Sequence, residues 1–236
     1  MKFIKKIIIK IIHLLGYDII KISKDYNRNF LGLNRLPIKS IIDIGANRGQ
    51  FGKEALKAFP NAHIYCFEPG EKAHLDLKKW ADSQDGRVSV FNVALGDKEA
   101  DLNFYEYPEN DEGSSFLRII NPVVQIPIRI HQTTLDNFIN SSGLSFEPEI
   151  LVKIDTQGYD DRVIMGAREI LSKSRVCITE VIFDEEYYGQ GSFKKIFSLL
   201  DDLEFEFIGN KTQHLAKNGG IQWADAVFKR VNKMKR

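Results

Sequence analysis

Cysteine is nearly absent: Cys66 and Cys177 are the only two in 236 residues, each inside an apolar, strand-like run. So placed, they read as small buried hydrophobes rather than a disulfide or half a metal site, which points to a reducing compartment. An excess of charge is lacking too. Thirty-three Lys and Arg face 32 Asp and Glu, a net charge of +1, so nothing draws the whole chain toward nucleic acid. The five histidines, His13, His63, His74, His131 and His214, show no metal-ligand spacing, and no metal site is expected. His131 alone falls near a candidate acceptor loop. The sequence has no apolar run of about 20 residues to span a bilayer. It has no internal repeat or low-complexity tract, and its length and 43% hydrophobic content suit one α/β domain.

The first 22 residues also lack what a signal peptide needs. Lys10 and His13 interrupt the apolar core, and no small-residue cleavage site follows. On a helical wheel Lys2, Lys5, Lys6, Lys10 and His13 share one face, with Phe3, Ile4, Ile7, Ile8, Ile11, Ile12, Leu14 and Leu15 on the other. Two partners fit such a helix: the anionic inner face of a cell membrane, or protein, either its own domain or a second copy in a homodimer. The expected organisation is an N-terminal helix and linker over 1–36, then one domain over 37–236, in the cytoplasm or peripheral on the membrane's inner face.

What the chain does have is Ser40-Ile41-Ile42-Asp43-Ile44-Gly45-Ala46-Asn47-Arg48-Gly49-Gln50-Phe51, a buried strand that breaks into a glycine turn and enters a helix. Gly45 and Gly49 allow unusual φ and close approach of a ligand, and the helix start favours an electron-rich or anionic group. Asp43 ends the strand, where its carboxylate could meet a cation. Glu68 closes the next strand, 25 positions later. Dinucleotide folds place an acid roughly 20 residues beyond their glycine turn to bind ribose hydroxyls. A nicotinamide fingerprint would need G-x-G-x-x-G, whereas Asn47 and Gln50 stand at its second and last places.

Downstream, strand and helix signals alternate. Helix is expected over 51–58, 71–81, from Thr134 as N-cap, from Asp160 to about Leu171, and over 192–202; strand over 62–67, 87–97, 150–154, 176–183, 205–208 and 224–229. Segments 102–107 and 125–131 alternate like a hairpin inserted after the third strand. The fold class is therefore α/β: a doubly wound, mostly parallel, seven-stranded sheet with a β-hairpin insertion. Ligands bind beyond the carboxyl ends of such strands, where Asp43, Glu68, Asn92, Asp155 and Glu180 collect. Tyr187 and Tyr188, after the fifth parallel strand, could stack on a sugar ring.

The glycine turn resembles the D-x-G-x-x-x-G of S-adenosylmethionine-dependent methyltransferases. The ordered set Ile42-Asp43-Ile44-Gly45-Ala46-Asn47-Arg48-Gly49, Phe67-Glu68-Pro69, Asn92-Val93-Ala94-Leu95-Gly96-Asp97, Ser114-Ser115-Phe116, Thr134-Leu135-Asp136 and Val152-Lys153-Ile154-Asp155, continuing with Thr179-Glu180-Val181 and Ala224-Asp225-Ala226-Val227-Phe228, resembles the FkbM family. One departure stands out: Gln157 and Asp160 occupy two places where the family usually carries Glu. The resemblance implies the Rossmann-like class I methyltransferase fold and O-methylation, typically of a sugar hydroxyl on a glycan, glycolipid or glycosylated natural product. It assigns cofactor contacts to Asp43, Gly45, Asn47, Gly49, Glu68, Asn92, Ala94 and Ser115, with Ser114 and Ser115 as a lid. Catalysis falls to Asp155, as general base, and Glu180. Two alternatives remain at this stage: a nicotinamide oxidoreductase on the same layered fold, and a membrane-docked scaffold without chemistry.

Overall fold

The computed structural model describes residues 30–231, so the amphipathic segment expected over 1–22 lies outside the described residues. In chain order, β1 (Ser40–Ile44) leads to α1 (Gln50–Ala58), β2 (His63–Phe67), α2 (Glu71–Asp82) and β3 (Val88–Phe91). Then come β4 (Ala94–Leu95), β5 (Ala100–Glu106), β6 (Ile126–Thr133), α3 (Leu135–Ser142) and β7 (Ile150–Ile154). The chain continues through α4 (Asp160–Met165), α5 (Arg168–Lys173), β8 (Val176–Ile182), α6 (Phe193–Asp201), β9 (Phe205–Leu215) and β10 (Ile221–Arg230).

Seven strands form one sheet in the order β3-β2-β1-β7-β8-β10-β9. All its pairs are parallel except those β10 makes with β8 and β9. β1 and β7 are buried along their whole length, which is why they read as unbroken apolar runs rather than alternating ones. On one face Ile42, Ile44, Val152 and Ile154 pack with Val163 and Ile164 of α4 and with Ile196 and Leu200 of α6. On the other, Ile41, Leu151 and Ile178 meet Phe51 and Ala55 of α1 and Leu77 of α2. Each such fully buried aliphatic side chain contributes about 1.5–3 kcal/mol. Strand order reverses between β1 and β7, and in such sheets the ligand crevice lies at the carboxyl ends of the strands around that reversal.

The insertion is larger than a hairpin. β5 and β6 pair antiparallel as expected, but β4 adds alongside β6 to make a three-stranded sheet. The expected third strand therefore splits, β3 staying in the main sheet while β4 leaves it after Asn92. Asn92 fixes that departure, its Nδ2 donating to the carbonyls of Glu68 (2.9 Å) and Pro69 (3.0 Å).

The helix expected from Asp160 to about Leu171 is broken at Gly166. A Cβ there would lie 1.9 Å from the Gly96 carbonyl oxygen. Asp136 of α3 then caps the second piece, accepting from the Glu169 (2.8 Å) and Ile170 (3.1 Å) N–H groups. Thr134 caps α3 itself through Asn137 N–H at 3.0 Å, as its sequence position suggested. The β9–β10 hairpin runs well past its apolar core, because the polar outer half of β9 is exposed and shows no burial pattern in sequence.

Candidate active site

The turns after β1, β2, β7 and β8, roofed by residues of the insertion between Phe104 and Val123, enclose a cleft of about 680 Å³. Eight carboxylate side chains line it, Glu54, Glu68, Asp111, Glu112, Asp155, Glu180, Glu186 and Asp225, against two amines, Lys153 and Lys211. In a chain of net charge +1 this local surplus favours a cationic ligand.

The nucleotide-type end is built on the glycine turn. Gly45 has φ +73°, and a Cβ there would lie 1.8 Å from the Asp155 carbonyl oxygen, so the turns after β1 and β7 touch only because residue 45 is glycine. Gly49 has φ +81° and packs under Trp80, whose ring a Cβ would meet at 2.7 Å. Gly49 is therefore a packing position rather than part of the cleft wall. Between them Asn47, itself at φ +44°, donates its N–H to Glu68 Oε2 at 2.8 Å. Gly70 N–H binds Glu68 Oε1 at 2.8 Å. Burial pushes the Glu68 carboxyl up to about 7, against these two N–H groups, which pull it down. A carboxylate offers about four acceptor positions, so Glu68 keeps capacity for hydroxyls in the cleft.

Asp43 does not reach the wall. Strand alternation turns it toward α1 with Ile41, and it is fully buried with neither oxygen hydrogen-bonded. Burial pushes it up to about 6, Lys153 pulling it down and Asp155 pushing it further up. Asn92 and Ala94 also stand off the cleft, the first tying down the Glu68 turn, the second buried in β4. Ser115 lies beneath the roof rather than over the cleft. Its Oγ donates to the carbonyl of Gln157 (2.9 Å), with that of Thr156 at 3.3 Å, and accepts from Leu117 N–H (3.1 Å). Ser114 lines the cleft and accepts the Tyr107 N–H at 3.0 Å.

Opposite the glycine turn lies a carboxylate cluster. Lys153 projects to the α1 face, yet its stem carries Nζ to within 2.7 Å of Asp155 Oδ2. Burial alone would lower the Lys153 pKa, but Asp155 and then Asp43 outweigh it and the ammonium is held charged. Asp155 Oδ1 accepts from Gln157 Nε2 at 2.8 Å, and the same Nε2 lies 3.1 Å from Glu180 Oε2. Burial, reinforced by Asp155 and Asp160, pushes Glu180 well above the ordinary range, with Lys153 opposing. Asp160 is committed elsewhere, accepting from the hydroxyls of Thr179 (3.0 Å) and Thr156 (3.2 Å), and burial raises it to about 7.

Gly45, Asn47, Glu68, Asp155 and Glu180 line the cleft, as their places in the sequence suggested, whereas the residues that shape it carry no such signal. Arg48 pairs with Asp111 through both guanidinium N–H faces and reaches Asp76 at 3.3 Å; Gln50 Nε2 donates to Glu112 at 2.8 Å. The glycine turn itself thus holds the roof. Tyr187, expected as an exposed stacking ring, is buried, whereas Tyr188 is 60% exposed. His131 sits on the insertion between Glu99 and Asp101, away from the cleft wall. Among the described residues no group of three or more potential ligands is arranged to hold a metal.

The FkbM methyltransferase domain matches residues 43–207, spanning both the glycine turn and the carboxylate cluster. The chain belongs to the FkbM methyltransferase family. Over 197 residues it is 30% identical to 2-O-methyltransferase NoeI of Sinorhizobium fredii, covering 77% of this chain and 79% of NoeI. It is 25% identical over 200 residues to AMB antimetabolite synthetase AmbE of Pseudomonas aeruginosa, covering 70% of this chain but 9% of that much longer protein. Among solved structures, an O-methyltransferase family protein from Burkholderia thailandensis aligns with TM-score 0.50 at 9% identity, over 87% of this chain and 55% of the other. The FkbM methyltransferase is thus an S-adenosylmethionine-dependent enzyme on a class I fold, and family membership displaces the oxidoreductase alternative. Two features of the site fit that cofactor: a surplus of carboxylates on the wall, and a buried carboxylate without a partner directly behind the glycine turn. No described helix is long and apolar enough to cross a membrane.

Proposed function

We propose that this FkbM methyltransferase transfers a methyl group to a hydroxyl of a sugar, with Glu180 as the proton acceptor. The observation that carries the reading is the contrast between the two carboxylates at the cleft floor. Asp155 has one oxygen on an ammonium and the other on an amide, whereas Glu180 holds a single shared amide proton at 3.1 Å and is raised by burial. When bound, S-adenosylmethionine supplies a methyl carbon on a sulfonium, which the acceptor oxygen attacks while the C–S electron pair stays on sulfur. Glu68, Asn47 and the Gly45 turn would hold its nucleoside end.

The chain's own contribution is to position and to take a proton. A carboxylate raised by burial is a stronger base than a solvated one. Glu180 takes the hydroxyl proton as the O–C bond forms and ends neutral, returning it to solvent afterwards. Asp155, neutralised by Lys153, accepts from a neighbouring hydroxyl and orients the ring. The roof held by Arg48 and Gln50 limits water around the reacting groups. Transfer to oxygen agrees with the name of NoeI, a 2-O-methyltransferase, and the sugar acceptor with the family resemblance. Peripheral membrane contact through residues 1–22 belongs to the same reading and predicts that their deletion abolishes binding to anionic liposomes.

The test is incubation of the full chain with isotopically labelled S-adenosylmethionine and glycan and glycolipid extracts, followed by mass analysis of the product. A methyl ether on a sugar hydroxyl, with Glu180→Gln slowed at least about 100-fold, is the expected result. Methyl on nitrogen or carbon would overturn it, and no transfer by a protein that binds S-adenosylhomocysteine would overturn it and revive the scaffold alternative.

A further inference from the structure

Gln157 is an uncharged side chain between two carboxylates of the cleft, and the structure shows what its amide does there. Its backbone sits at φ +54°, a left-handed conformation that residues with a side chain rarely adopt. Two contacts from other elements hold it: Ser115 Oγ on its carbonyl at 2.9 Å, and the Tyr187 hydroxyl 2.9 Å from its Oε1. The Tyr187 hydroxyl also lies 3.2 Å from the Gly113 carbonyl in the roof. Only one orientation of the amide satisfies this set. With Oε1 toward Tyr187, Nε2 donates to Asp155 and Glu180 together; reversed, Oε1 would face two carboxylate oxygens.

We propose that Gln157 is the positioning residue of the site: its Nε2 is the shared donor that keeps Asp155 and Glu180 side by side with their remaining lone pairs open to the cleft, while Tyr187 sets the amide's direction. The inference rests on the reading of Glu180 as proton acceptor. The groups facing the pair are Lys153 of β7, Asp43 of β1, Asp160 of α4, Asp225 of β10 and Tyr187 of the loop after β8, with Glu186 beside Tyr187. Lys153 is the sole cation of this set, and its ammonium is already paired with Asp155. A neutral donor at 157 therefore keeps Glu180 able to ionise without a second cation. A carboxylate there would place a third negative charge on the pair and compel it to keep a proton at the pH where the wild-type pair has lost it.

Full-length wild type, Gln157→Glu, Gln157→Met and Tyr187→Phe separate this from a structural role, by methyl transfer across pH 5.5–9 and by thermal unfolding across pH 5–8. For Gln157→Glu the acidic limb of kcat moves up by about one pH unit, a loss that approaches tenfold on the acidic side of the limb and disappears on the alkaline plateau. Gln157→Met moves it the same way by less, and Tyr187→Phe by least. In unfolding, the deficit of Gln157→Glu against wild type widens as pH rises, because the added buried carboxyl ionises in the unfolded chain first. A limb that stays in place, with a melting deficit constant across pH, would overturn the proposal. Should wild type bind S-adenosylhomocysteine yet methylate nothing, the activity reading falls, and the unfolding series alone still decides the role of Gln157.

Discussion

Asp43→Asn should stabilise the protein while weakening its cofactor site. Asp43 is fully buried, and neither of its oxygens has a hydrogen-bond partner. Burial lifts it from 3.8 to about 6. At about 1.36 kcal/mol per pH unit that gap is worth about 3 kcal/mol. The sign follows from proton binding: the folded state holds the Asp43 proton more tightly than the unfolded chain does. Its contribution is fully present below the unfolded value near 3.8 and is lost as pH rises through about 6. Above pH 7 the ionised side chain therefore costs about 3 kcal/mol, and at pH 5 about half of that. Asparagine removes the charge but leaves a buried amide short of partners, a penalty of about 1–2 kcal/mol. The net expectation is a gain of about 1–2 kcal/mol at pH 8 and none at pH 5. At about 2–4 °C per kcal/mol for a chain of this size, Tm rises by about 2–8 °C at pH 8 and stays level at pH 5. Thermal unfolding of the ligand-free protein at both pH values reads this, with calorimetry of S-adenosylhomocysteine showing at least tenfold weaker binding. A variant that melts below wild type by the same margin at pH 5 and pH 8 would show that Asp43 is a structural acceptor rather than a charge held for a cation.

Other substitutions probe the frame around it. Gly45→Ala drives a methyl into the Asp155 carbonyl and demands a positive φ, so it should lower Tm by at least about 6 °C and abolish S-adenosylhomocysteine binding in the same calorimetric assay. Arg48→Ala frees Asp111 and the roof; because the pair is about a third exposed, Tm should move by less than about 3 °C, whereas the dissociation rate of S-adenosylhomocysteine rises severalfold in stopped-flow measurements. Asp136→Ala strips two N–H groups at the start of α5 of their acceptor and should cost about 1–2 kcal/mol in urea unfolding, leaving the dissociation constant for S-adenosylhomocysteine within twofold.

The layered sheet was legible because its strands are buried on both faces and so appear as plain apolar runs, as in Ser40–Ile44 and Ile150–Ile154. The features that escaped have causes far off in sequence. The break at Gly166 depends on the Gly96 carbonyl and on a carboxylate at residue 136, which no local pattern around 160–171 contains. Arg48 grips Asp111 across 63 positions, so a residue inside the most conspicuous turn of the chain gave no sign that it held the roof.

Asp43 shows a different limit. Its place at a strand tip marked it as functional, but strand alternation decides which face it takes, and Ile41 and Asp43 share the α1 side while Ile42 and Ile44 face the other way. Read with that alternation, the unpartnered carboxylate acts through the turn at a short distance, adding negative field behind the cleft rather than a contact within it. Gln157 is the converse. An uncharged residue among acids looks like a loss of function in sequence, and only the Tyr187 hydroxyl on one side and two carboxylates on the other give its amide a place in the site.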